Sequence, residues 1–282
     1  MATQHILIAI DGTGSKDWKR NPDGLNSHVY RFYRDFIVPG NYKKYIEGPG
    51  NFGTDMSSII KDGLDSCLQM VDSIYRINKS ESSHSNDSDI KVCLIGHSRG
   101  AVAALEIGTQ LYRQSGINTY FLGLYDAVDK SWVSGYDAEF RGTTFKYHAM
   151  RAYSNWSGTR STFGNVDKIS NKKLFNTSHG GIGGDPGFFV DLIPMINDSY
   201  CNALELLHEI NQIKDKEAFR KRCLEIDWFW RQSTSADEYI RKGAGEAHLP
   251  LFCSNDHKPY KEDYKGERLK AILAEYGLNP GK

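Results

Sequence analysis

Charge of one sign is what this sequence most plainly lacks: Lys+Arg and Asp+Glu are both 35, and the formal net charge is zero. A balanced chain exerts no long-range pull on nucleic acid or on an anionic membrane. Cysteine is scarce and poorly placed for pairing. The five, Cys67, Cys93, Cys201, Cys223 and Cys253, are odd in number and no two are close together, which argues against a disulfide framework and against a zinc ribbon. A reducing compartment fits best, and Cys93, inside an apolar run, reads as a small buried hydrophobe. No stretch approaches the roughly 18 apolar residues needed to cross a bilayer. Met1-Ala2-Thr3-Gln4-His5 has no basic region, and the apolar run behind it passes straight into Asp11-Gly12, so it does not read as a signal peptide. The expectation is a chain made in the cytoplasm; export by a signal-free machine would leave no trace in it. The segment Asp11-Gly12-Thr13-Gly14 lacks both the Gly-x-Gly-x-x-Gly spacing and the P-loop lysine, which disfavours dinucleotide or phosphate binding.

What is present describes one α/β domain over 1–282. Its 39% apolar and 25% charged residues are ordinary for a globular protein. Ile6–Ile10 and Ile90–Ile95 read as buried strands, as does Ile117–Leu124. Tyr42–Glu47, Phe145–Tyr153 and Lys173–Thr177 are weaker strand candidates. Helices are expected at Ser27–Phe36, at Thr54–Ile77 and at Ala101–Tyr112. In the second, Ile59, Ile60, Leu64, Cys67, Leu68, Val71, Ile74 and Tyr75 recur at steps of three and four. Lys79–Asp89 reads as a polar loop. Strands alternating with helices imply a mostly parallel sheet covered on both faces. Gly187–Gly245 reads as a helical cap or side layer, with amphipathic helices at Ser199–Ile213 and Lys216–Trp230. A last helix is expected at Tyr264–Tyr276.

The clearest chemical signal is Gly96-His97-Ser98-Arg99-Gly100. Five common residue types make a weak motif alone, but here a buried strand precedes it and an Ala/Leu-rich helix follows. That is the context of a nucleophile elbow, in which small residues must stand two positions either side of a strained serine. The helix N-terminus then favours negative charge at Ser98, and the Arg99 N–H is an expected oxyanion donor. The bland alternative is a tight turn with a serine capping the helix. His97 is expected to pack rather than to act as the base.

A serine nucleophile needs a base, and the base an orienting acid. Asp126 ends the strand Phe121–Tyr125 and is the first choice of acid, with Asp129 behind it. Five histidines follow Ser98. His148, in a strand-like run, and His208, in an amphipathic helix, read as structural. His179 opens the Gly-rich segment Gly180-Gly181-Ile182-Gly183-Gly184, read as a loop that lets an imidazole approach closely. It is the first choice of base, ahead of His248 and His257. The aromatics Phe188, Phe189 and Trp228-Phe229-Trp230 could line an apolar acyl pocket or simply pack the cap on the core.

These residues fall in the order of a family. The opening strand with Asp11-Gly12-Thr13, then Asn26 to Tyr33, Tyr45-Ile46-Glu47-Gly48-Pro49-Gly50, Gly96 to Ala101 and Leu122 to Val128 carry the resemblance. The sequence resembles an α/β-hydrolase group, of formerly unknown function, that includes type VI secretion phospholipase effectors. The resemblance covers about residues 5–190 and implies an α/β-hydrolase fold with Ser98, Asp126 and His179 as a triad. It implies a second oxyanion donor from Gly12 or Thr13. The expected activity is hydrolysis of a lipid or other acyl ester, with no metal or cofactor and with transient membrane contact possible. The competing expectation is an inactive interaction protein that keeps the fold, its 187–245 helices serving as a partner surface.

Overall fold

The computed structural model describes residues 3–13, 27–50, 54–81, 89–128, 142–151, 169, 171–175, 179–184 and 234–252. Its centre is a six-stranded sheet of β1 (Gln4–Ile10), β2 (Lys43–Ile46), β3 (Ile90–His97), β4 (Thr119–Tyr125), β5 (Thr143–Arg151) and β6 (Lys172–Phe175). The strand order is β2-β1-β3-β4-β5-β6, and every neighbouring pair is parallel. This is the α/β architecture expected of the sequence. Strands covered on both faces need apolar residues on both, and Ile6 to Ile10 and Val92 to Ile95 are accordingly all 0% exposed.

Two layers supply the cover. On one face α2 (Met56–Glu81) and α3 (Arg99–Ser115) pack Leu64, Cys67, Val71, Ile74, Val102 and Ile107 against Ile6, Ile8, Leu94 and Leu122. On the other, α1 (His28–Asp35) and a helix at 234–246, here α5, set Phe32, Phe36, Ala236, Ile240 and Ala244 against Leu7, Cys93, Ile95 and Phe121. Residues 234–245, within the stretch read as a cap or side layer, thus lie in a side layer; 187–233 lie outside the described residues, as does the helix expected at Tyr264–Tyr276.

The helices differ from expectation in detail. α2 continues to Glu81, past the expected loop start at Lys79, because neither glycine nor proline stops it. Tyr75, counted with the apolar stripe, is half exposed and falls beyond its edge. α1 starts as expected: Ser27 caps it, its Oγ accepting from the Tyr30 N–H at 3.1 Å. α3 ends at Gly116, whose left-handed φ of 69° returns its N–H to the Tyr112 carbonyl.

The sheet brings the carboxyl ends of β1, β3, β4 and β5 side by side. His97 is in register with Tyr125, and Tyr125 with Ala149. From β1 the chain passes to β2 on one side, and from β2 it crosses back over β1 to β3 on the other. Ligands of open parallel sheets bind beyond the strand ends at such a switch point.

Candidate active site

β3 ends at His97 and α3 begins at Arg99, so Ser98 alone makes the turn. Its φ of 58° and ψ of −128° are rarely adopted by a residue with a side chain. The crowding explains the glycines around it. A Cβ on Gly96 would lie 2.5 Å from the Gly100 carbonyl oxygen, and one on Gly100 would lie 2.2 Å from that of Asp11. Ser98 makes no side-chain cap bond to α3, against the bland reading of the turn. Its Oγ–H instead donates to His179 Nε2 at 2.8 Å.

His179 comes from the segment expected to be a loop. It is the first residue of a five-residue helix, α4 (His179–Gly183), and is 5% exposed. Glycines disfavour helix by propensity, yet this turn must pass close to the His97 ring. A Cβ on Gly183 would stand 2.3 Å from His97 Cε1, and one on Gly12 would stand 2.3 Å from His97 Nδ1. His97 is therefore held between the β1 loop and α4, and its Nε2–H donates to the His179 carbonyl at 3.2 Å. The packing role expected of it is the one it has. Burial, then the neighbouring His179, push its pKa well below the ordinary value and keep it neutral.

Asp126 follows β4 directly, fully buried, with a φ of 43°. Its Oδ2 accepts the His179 Nδ1–H at 2.7 Å, completing a Ser98–His179–Asp126 chain from three separate strand ends. Its Oδ1 accepts the Arg151 N–H at 3.2 Å, and the Arg151 guanidinium pairs with Oδ2. Burial opposes ionisation of Asp126, but the guanidinium and the hydrogen bond from His179 outweigh it and hold the carboxyl well below the usual range. The loop is fixed by His148, whose Nε2 accepts the Ala127 N–H at 3.0 Å, the structural part expected of that histidine.

Of the two backbone donors expected from the β1 loop, the Gly12 N–H is engaged within the loop, donating to the Asp11 carboxylate at 2.7 Å. Arg99 Nε donates to Thr13 Oγ1 at 2.9 Å, tying the elbow to that loop. Asp11, fully buried, also accepts from Ser27 Oγ and from the Tyr45 hydroxyl, the latter at 2.7 Å, and so anchors the loop to α1 and β2. Among the other candidates, His248 is exposed in the turn after α5. Asp129, His208, His257, Phe188, Phe189 and Trp230 lie outside the described residues. Among the described residues no cluster of three His, Cys, Asp or Glu could hold a metal, and no helix is long and apolar enough to cross a membrane.

Two features escaped the sequence reading. Arg151 stood in a weak strand candidate with no role. The second is a buried network behind the site. The Tyr125 hydroxyl donates to Asp237 Oδ1 at 2.6 Å, Arg241 Nε donates to Asp237 Oδ2 at 2.9 Å, and Arg241 reaches Asp35 at 3.1 Å. It locks α5 to α1 and to the residue preceding Asp126. Asp237 and Arg241, four apart on a helix, look in sequence like a solvated surface pair.

No family model matches this chain, and no curated protein matches it. Among solved structures it is similar to a crystal structure of an uncharacterized protein from Pseudomonas aeruginosa, at 14% identity and a TM-score of 0.41. The match covers 98% of this chain, which spans 62% of that one.

Proposed function

We propose that this protein is a serine hydrolase that cleaves a carboxylic ester through an acyl-enzyme. One observation carries the reading: an unbroken hydrogen-bonded relay from Ser98 Oγ through the His179 ring to a buried, ionised Asp126. Its serine sits in a left-handed turn at a helix N-terminus. Ser98 Oγ attacks the ester carbonyl while its proton passes to His179 Nε2. The N–H groups of Arg99 and Thr13 receive the oxyanion, and the α3 dipole adds to the same stabilisation. Collapse breaks the ester C–O bond, and the alkoxide leaves with the proton from Nε2. Water then gives a proton to Nε2 as its oxygen adds to the acyl carbon; collapse breaks the Ser98 Oγ–acyl bond, Oγ takes the proton back from Nε2, and the carboxylic acid leaves. Asp126 fixes the tautomer throughout and stabilises the imidazolium. A strained serine, a buried imidazole and a buried carboxylate aligned in this way favour the hydrolase reading over an inactive scaffold.

The substrate class we propose is a lipid-like or phospholipid-like acyl ester, in line with the resemblance of the sequence to phospholipase effectors. The test is labelling by a fluorophosphonate probe together with hydrolysis of p-nitrophenyl esters of increasing chain length. The wild type is expected to label and turn over, and Ser98→Ala to do neither, with a loss on the order of 10⁴ to 10⁶ in kcat. A Ser98→Ala protein that keeps its rate, or a wild type inert to the probe, would refute the proposal.

A further inference from the structure

Arg151 converges with His179 on a single oxygen of the acid. The guanidinium NH1 and the His179 Nδ1–H both reach Asp126 Oδ2, and the two nitrogens lie 3.4 Å apart. The Arg151 side chain is 5% exposed and that of Asp126 is 0% exposed, so water screens little of this contact. The Arg151 N–H on Oδ1 fixes the carboxylate plane whatever the side chain is. The guanidinium is therefore not needed to orient Asp126. What it adds is a permanent positive charge beside the ring that must become positive in the transition state.

We propose that Arg151 is a positioning residue that sets the working pH range of the His179 base, by sharing the Asp126 charge and opposing protonation of the imidazole. The inference rests on the serine-hydrolase reading and deepens it. In a triad without such a cation the carboxylate charge belongs to the imidazolium alone. Here part of it is committed to the guanidinium, and a protonated His179 would face that guanidinium across 3.4 Å. Among the described residues, Ser98, His97 and Asp126 also face the ring, and His28 packs near α4. Ser98 from the elbow is neutral, and His97 from the end of β3, its ring centroid 4.9 Å away, is neutral and buried. Asp126 from the end of β4 acts in the opposite direction. His28 from α1 packs against Gly184 just beyond α4, where a Cβ would lie 2.7 Å from its Nδ1. The base thus stays unprotonated, and able to take the serine proton, at a lower pH than the carboxylate alone would allow.

The experiment compares the acid limb of kcat/KM on p-nitrophenyl acetate for the wild type, Arg151→Lys and Arg151→Gln. Removing the charge in Arg151→Gln should move the midpoint up by about one unit or more, and Arg151→Lys should restore most of the shift. A purely structural arginine would lower the rate in both variants and leave the midpoint alone. In case Arg151→Gln does not fold, the imidazole resonances of ¹³C-histidine-labelled Ser98→Ala protein are titrated, with His179 assigned by its loss in His179→Gln. A His179 midpoint that lies higher when Arg151→Met, a neutral side chain of similar length, is added to this protein supports the proposal, and an unchanged one overturns it. An unmoved midpoint in a folded Arg151→Gln also overturns it, while fluorophosphonate labelling of the wild type leaves the hydrolase reading standing. A wild type that takes no label removes the hydrolase reading, and with it any catalytic meaning of Arg151.

Discussion

Replacing Gly183 by alanine puts a methyl group where the His97 ring already stands. The new Cβ would be 2.3 Å from Cε1, 2.5 Å from Nδ1 and 2.6 Å from Nε2. Unbonded carbons rest at about 3.5 Å or more, so a gap of about 1 Å must open. The ring cannot retreat, because the Gly12 backbone blocks its other side and a hydrogen bond of 3.2 Å ties it to the His179 carbonyl. α4 has to back away, taking His179 with it. The 2.8 Å bond from Ser98 to His179 would then exceed hydrogen-bond length. A misplacement of about 1 Å costs on the order of 100-fold in kcat, and overpacking of a tight site about 1–3 kcal/mol of stability. Both are measured on one preparation, by p-nitrophenyl acetate turnover and by urea unfolding. A second variant isolates the cause. His97→Ala vacates the space, so the double variant His97→Ala, Gly183→Ala should lose much less than the two single losses combined. The reasoning fails if Gly183→Ala matches the wild type in rate and midpoint, or if the two losses simply add.

Asp126→Asn should keep the fold yet lower kcat by about 10⁴, since an amide can hold the wrong imidazole tautomer; stopped assays at pH 8 check this, and a loss under tenfold would contradict it. His248→Ala, an exposed change, should leave turnover within about twofold under the same assay. Stability should fall as the pH drops below about 6.5, because unfolded His97 binds a proton there that the folded state refuses. Urea midpoints from pH 8 to 5 read that slope, which should flatten in His97→Gln; an unchanged slope would clear His97 of the effect. Asp237→Ala leaves the buried Tyr125 hydroxyl without its acceptor and the Arg241 guanidinium with Asp35 alone, at a cost of about 1–3 kcal/mol, visible as a drop in melting temperature.

The central strands were readable because residues buried on both faces leave an unbroken apolar run, as Ile6–Ile10 does. The elbow was readable because its steric demands force glycine at 96 and 100. Asp126 and His179 were found by rules of position, a carboxylate at a strand end and a histidine in a Gly-rich segment, and the fold brings both to Ser98. The same composition misled about local shape: His179–Gly183 is a helical turn, with Gly183 passing close to His97 and Gly184 close to His28. Arg151 gave no signal: an arginine near the end of a half-buried strand looks the same whether it meets solvent or a carboxylate. The Asp237–Arg241 pair hid for a similar reason, although Ala236, Ile240 and Ala244 repeat beside it at helical spacing and mark a buried face. The Gly12 N–H could not be assigned in advance, because whether a backbone donor faces a substrate or its neighbour's carboxylate depends on one dihedral angle.

The bond from Tyr125 to Asp237 joins residues 112 apart, and it bears on the order in which the protein comes to exist. A growing chain carries Ser98, Asp126 and His179 well before residue 234 has been made. At that stage Phe121, Cys93 and Ile95 have no α5 above them, and the Tyr125 hydroxyl has no acceptor from Asp237. Contacts so distant along the chain form late, because the loop they close is long. Ser98, Asp126 and His179 are thus in hand early, while the support under Tyr125, the residue before Asp126, arrives only with the 234–252 segment. On the ribosome the hydrolase we propose would remain latent through most of its own synthesis.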